Sequence, residues 1–142
     1  MKKLLNFSLA YAIAGMAAGV FYREFTKFND FVGSTALGKV HTHLFMLGML
    51  IFLIAALFQM RTDLTKQRAY KIFMVIYNIG VPLTAVMMII RGVFEVTGTE
   101  LSKGADAAIS GIAGIGHILA AGGIIHFIIA VKKSAKNYSE MT

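Results

Sequence analysis

The chain has 142 residues, 57% of them apolar and only 15% charged, with a single Pro, no Cys and no Trp. A soluble domain sits at about 45–50% apolar and about 25% charged, so this composition excludes an ordinary soluble fold; zero Cys excludes disulfides, thiolate metal sites and Cys nucleophiles. The net charge of +7 gathers at the ends of apolar stretches, which marks membrane topology and argues against nucleic acid as a partner.

Four stretches approach the ~20 apolar residues that a helix needs to cross a bilayer. In chain order they are Leu4–Tyr22, Leu37–Met60, Tyr70–Ile90 and Ala107–Val131. Lipid offers the backbone no hydrogen-bond partner, and the sequence shows no alternating strand pattern, so these stretches must be helices. The expected fold is an all-α membrane protein, one domain over residues 1–142, folded as an antiparallel four-helix bundle.

The first stretch opens on Lys2-Lys3 and passes through the small residues Ala14–Gly19, as a secretory signal peptide would. It runs on into Val20-Phe21-Tyr22 without a small-x-small stop, so it is expected to be retained. Gly15-Met16-Ala17-Ala18-Gly19 reads as a helix-packing face. Arg23 follows at the membrane boundary.

The second stretch, with Ser34 as its expected N-cap, holds His41-Thr42-His43 near its start. At 100° per residue, positions i and i+2 point ~200° apart, so the two imidazoles cannot chelate one ion from a regular helix. The spacing suits two separate roles. The third stretch contains Asn78 and Pro82, which are linked: Pro82 has no N–H to give the Asn78 carbonyl, so a kink is expected there. Met87 and Met88 read as lipid-facing packing, with an axial thioether as the weaker reading. Arg91 ends the stretch at the same boundary as Arg23 and Lys39. One or two of these cations could pair with haem propionates; the plainer reading is interfacial anchoring.

Asp106 is the expected N-cap of the fourth stretch, which carries His117 and His126. Around His117 at helical spacing stand Ser110, Ala113, Gly114, Ala121 and Ile124. Such a face either admits a neighbouring helix or vacates room for a flat cofactor, and both readings stand. His117 falls about 15 Å below the outer end of its helix, deeper than His41 and His43 on theirs. His126 lies ~180° around the helix from His117 and cannot share its site.

Lys and Arg number nine over the N-terminus, second loop and C-terminal tail, against five in the first and third loops. Both termini are therefore expected in the cytoplasm. No Walker loop, GxSxG or HExxH is present, and no carboxylate lies mid-span.

Tyr22-Arg23-Glu24-Phe25, Val40-His41-Thr42-His43-Leu44, Leu47-Gly48 and Gly111-Ile112-Ala113-Gly114-Ile115-Gly116-His117 resemble a family of small four-helix bacterial membrane proteins of unknown function. The resemblance spans essentially the whole chain and implies no activity. His-x-His followed by Leu and Leu-Gly is also distantly similar to haem–copper-oxidase subunit I-like proteins. The resemblance implies that an HxH pair on one helix serves haems on opposite faces. Oxygen-reductase chemistry does not carry over, because only four helices and no further copper-site histidines are present.

The leading expectation is an integral-membrane b-type haem protein serving electron transfer or gas and redox sensing. Its ligands would be His117 with His41 or His43, and Arg23 or Arg91 would lie near the propionates. The alternatives are a cofactor-free accessory or structural membrane subunit, and a copper or zinc site assembled between subunits. The lipid bilayer is the expected partner, with a second copy or a redox protein as further candidates.

Overall fold

The computed structural model describes the backbone of residues 1–139 and the side chains of residues 1–135. Four long helices fill it: α1 (Lys2–Phe28), α2 (Leu37–Arg61), α3 (Arg68–Thr97) and α4 (Lys103–Ser139). All four are long and apolar enough to cross a membrane. Among the described residues there is no strand.

Every helix except α2 overruns its expected bounds at both ends, the helical backbone continuing through the polar residues that flank each apolar stretch. Gly98, with φ 64°, ends α3 in the left-handed conformation that glycine adopts at least cost. The start of α4 differs from expectation. Ser102 Oγ accepts the Ala105 amide hydrogen (3.2 Å), so Ser102 is the cap, and Asp106 lies in the first turn with its side chain turned elsewhere. Ser34 likewise does not cap α2. The free amides there are taken by Thr35 and by Glu95 of α3: Ala36 N–H donates to Glu95 Oε2 (2.7 Å) and Leu37 N–H to Thr35 Oγ1 (3.3 Å).

The middle of α2 departs from α-helical winding. Leu37–His43 is α-helical, Leu44–Leu50 winds as a π-helix and Ile51–Arg61 is α-helical again. A π turn is rare and loosens the carbonyls of its own ladder. Here two are taken up by neighbours: Tyr77 Oη on α3 donates to the Leu47 carbonyl (2.7 Å), and Ser8 Oγ on α1 donates to that of Met49 (2.9 Å). Gly48 lies between them, directly under the Tyr11 ring, where a side chain would collide with it.

Spatial order follows chain order. α1 packs chiefly along α2, α2 meets α3, and α3 and α4 make the most extensive interface. That last interface rests on small residues. A Cβ at Gly80 would lie 2.5 Å from the Ala120 backbone nitrogen, and one at Gly116 would lie 2.6 Å from Thr84 Oγ1. Such close approach is how helices associate in lipid, where apolar surface alone provides no drive. An aromatic cluster locks the other end. Phe52 of α2 stacks on Phe7 and Tyr11 of α1 (5.1 and 5.6 Å), and Phe73 of α3 packs on Phe52 and on Phe127 of α4 (5.8 and 5.0 Å).

Candidate functional site

Two residues apart on one helix, His41 and His43 lie against different neighbours, as their angular divergence requires. His41 lies against α1, where a Cβ at Gly19 would meet its Cβ and Cγ at 3.8 Å, and its ring stands edge-on to Phe45. Its Nδ1 is buried and has no hydrogen-bond partner among the described residues. His43 lies against α4, its ring edge-to-face with that of His117 at a centroid separation of 6.3 Å and an interplanar angle of 86°. The structure thus brings His43 and His117 together and leaves His41 outside the pair.

Both paired rings are held by their own helix. His43 Nδ1 lies 2.9 Å from the Lys39 carbonyl oxygen, and His117 Nδ1 lies 2.8 Å from that of Ala113. A carbonyl can only accept, so each Nδ1 carries the hydrogen, which in the neutral form of the ring puts the bare lone pair on Nε2. This is the arrangement that fixes tautomer and ring orientation in histidine metal ligands. His126 makes the same bond to the Gly122 carbonyl (2.8 Å). None of these three Nδ1 bonds joins two helices, so they do not hold the bundle together.

The pair opens into a cavity of about 360 Å³ lined by His43, His117, Lys39, Met88, Arg91 and Glu95 among others. Arg91 Nη2 donates to Asp106 Oδ1 (2.9 Å) and Ser110 Oγ (2.7 Å), which joins the end of α3 to the start of α4 beside the histidines. Glu95 is engaged in capping α2 and also accepts from Thr35 Oγ1 (2.9 Å). Lys39 makes no ion pair among the described residues. Met88 lines the cavity and packs on the core, so it does not face lipid as its sequence context suggested. Arg23 is placed away from this group, exposed at the end of α1 with Glu24 Oε1 at 3.6 Å.

His43 and His117 were expected at different depths, yet they lie side by side. The register explains it. Gly92 of α3 is level with Leu37, since a Cβ there would lie 2.5 Å from the Leu37 nitrogen, and Arg91 is level with Asp106 and Ser110. Hence α4 begins beyond the start of α2, and its deeper histidine comes level with the shallower one.

The small-residue face around His117 also resolves. The tight α3 contact uses Gly116, Ala120 and Gly123, while a Cβ at Gly111 or Gly114 would meet nothing within 4 Å. No described helix of this chain packs on Gly111 or Gly114. Among the described residues no group of three or more His, Cys, Asp or Glu side chains gathers as a metal-ligand set.

The residues that sequence reasoning missed are Thr35 and Glu95. A single carboxylate near a helix end carries no local mark of the distant amides it will cap.

A family model described as "Protein of unknown function (DUF2871)" matches residues 1–134. No curated protein and no solved structure matches the chain, haem–copper oxidases included.

Proposed function

For a chain that belongs to this family, whose description assigns no activity, we propose an integral-membrane b-type haem protein with His43 and His117 as the axial ligands. The observation behind this reading is the imidazole pair: 6.3 Å between centroids, with both Nδ1 hydrogens already donated to backbone carbonyls. Two imidazoles this close, each with Nε2 free of any bond to the chain, would be the residues to hold such a group. Neutral imidazole with its second nitrogen hydrogen-bonded is the ordinary form of a haem ligand.

The rest of the donor set agrees with a macrocycle better than with a bare ion. A protein-bound zinc or copper ion takes three or four side-chain ligands, and this site offers two. Haem brings four nitrogens of its own, so two suffice. The uncovered face at Gly111 and Gly114 leaves room next to His117. Lys39, which lines the same cavity, would receive a propionate, and so would Arg91 once released from Asp106 and Ser110. Bound haem would supply one-electron chemistry; the chain's own part would be to orient both imidazoles through their Nδ1 hydrogen bonds, with Nε2 left free to bind.

In this reading the helices run antiparallel and both termini are cytoplasmic, supported by the nine-to-five Lys and Arg count. A second reading has one favouring observation: the same open small-residue face suits a helix of another copy, which would make this a cofactor-free structural subunit. Pigment analysis separates the two. Protein purified in detergent from haem-replete cells is expected to show a Soret band and sharp reduced α and β bands. A colourless preparation overturns the haem reading.

A further inference from the structure

A second cavity, sharing no residue with the histidine site, lies between α1 and α3. Its volume is about 740 Å³, and Ala10, Ala14, Ala17 and Ala18 of α1 face Pro82, Ala85 and Val86 of α3 across it. No charged residue lines it. The alanines recur at helical spacing and form a flat, shallow wall. This face was expected to pack against a helix. Its glycines do so, Gly15 against Phe45 and Gly19 against His41, while Ala14, Ala17 and Ala18 line the cavity.

Two side-chain oxygens in this otherwise apolar lining, Asn78 Oδ1 and the Tyr11 hydroxyl, bond no described residue, and Pro82, with no N–H, takes the usual helical donor from the Asn78 carbonyl. The Asn78 amide nitrogen donates to the Met74 carbonyl (2.7 Å), and its Oδ1 accepts nothing from a described residue. Tyr11, only 9% exposed, lines the same cavity, and its hydroxyl bonds no described residue. Tyr11 and Asn78 each stand about 14–15 Å along their helices, half the thickness of a bilayer core. Unpaired polar groups at that depth are costly, because neither water nor lipid tails can satisfy them.

We propose that this cavity binds a membrane-soluble quinol: a flat uncharged ring whose hydroxyls donate to the Asn78 oxygens and accept from Tyr11, with an apolar tail along the alanine wall. The complementarity selects this class. A phospholipid headgroup is charged and cannot reside at mid-bilayer, and an acyl chain has nothing to donate. An oxidised quinone accepts only, so it could use Tyr11 and not the two acceptors of Asn78.

The test is calorimetric titration of the purified full-length protein in detergent with decylubiquinol, decylubiquinone and decylbenzene, under reducing anaerobic conditions for the quinol. Saturable quinol binding is expected, with the quinone weaker by about 5–10-fold and decylbenzene weaker still, from the loss of one or two hydrogen bonds. Tyr11→Phe and Asn78→Leu should each weaken the quinol by about 5-fold. Ala14→Phe, which projects bulk into the cavity, should remove binding; Ala17→Leu repeats that test should the first variant aggregate. Absence of saturable quinol binding overturns the proposal. So does decylbenzene binding as tightly as the quinol, or unchanged affinity in both polar variants. Repeating the titration on His117→Ala separates this outcome from the haem reading, since the two sites share no residue.

Discussion

Tyr77 of α3 donates its hydroxyl hydrogen to the Leu47 carbonyl of α2 at 2.7 Å, inside the stretch where α2 winds as a π-helix. The bond ties the widest turn of the histidine-bearing helix to the fully buried aromatic core, since Tyr77 also packs on Phe73 at 5.0 Å. A widened turn is tolerable in an apolar interior only where its loosened carbonyls find donors. Ser8 supplies the other on the α1 side. The winding just past His43 is therefore held from two neighbouring helices.

Removing either donor should weaken this segment. Tyr77→Phe and Ser8→Ala are each expected to cost about 1 kcal/mol, the ordinary net value of an intramolecular hydrogen bond. Thermal unfolding in detergent measures it, and melting temperatures equal to wild type would count against the account of the π turn.

The histidine variants separate roles by direction. His43→Ala and His117→Ala should abolish haem retention or convert a low-spin spectrum to high-spin while the protein still inserts. His41→Ala should be milder, because His41 faces α1. His126→Ala should leave the spectrum intact. A wild-type spectrum from His117→Ala would show the site to be misassigned.

Gly114 and Gly116 differ by two positions and should behave oppositely. Gly116→Val drives a side chain into Thr84, whose Oγ1 and backbone nitrogen would lie 2.6 and 2.9 Å from the new Cβ. Overpacking of that kind costs about 1–3 kcal/mol, and here a helix backbone is the obstacle. Gly114→Leu meets open space. It should leave unfolding unchanged or improve it by up to about 1 kcal/mol through helix propensity, while blocking pigment binding beside His117. Loss of stability in Gly114→Leu with haem retained would reverse this assignment.

Glu95 joins the end of α3 to the start of α2 through Ala36 and Thr35. Glu95→Ala leaves the Ala36 amide unpaired and Thr35 Oγ1 with only the Gly92 carbonyl (3.2 Å) to donate to, and should cost about 1–2 kcal/mol, as the loss of a charged helix cap does. Glu95→Gln keeps one acceptor and should recover most of it. Equal melting of the two variants would show the carboxylate to be dispensable.

Orientation is open to direct measurement. Reporter fusions at residue 142 should mark the C-terminus as cytoplasmic, and cysteines at positions 30 and 100 should label from outside. The opposite pattern refutes the topology inferred from the Lys and Arg count.

What the amino-acid sequence determined here is what depends on local periodicity and bulk polarity. Runs of apolar residues define four helices, because an unpaired amide in lipid leaves the backbone few other choices. The opposed directions of His41 and His43 follow from helical pitch alone. Tertiary structure decided everything that needs two distant segments at once. That His43 meets His117 depends on how far α4 begins beyond α2, which Gly92, Arg91 and Asp106 set through contacts between helices. The π turn has its donors 30 and 41 positions away, on Tyr77 and Ser8. The small residues of α4 look alike in sequence, yet Gly116 is sealed by α3 and Gly114 is open. Steric fit between backbones, with no counterpart in local pattern, made that difference.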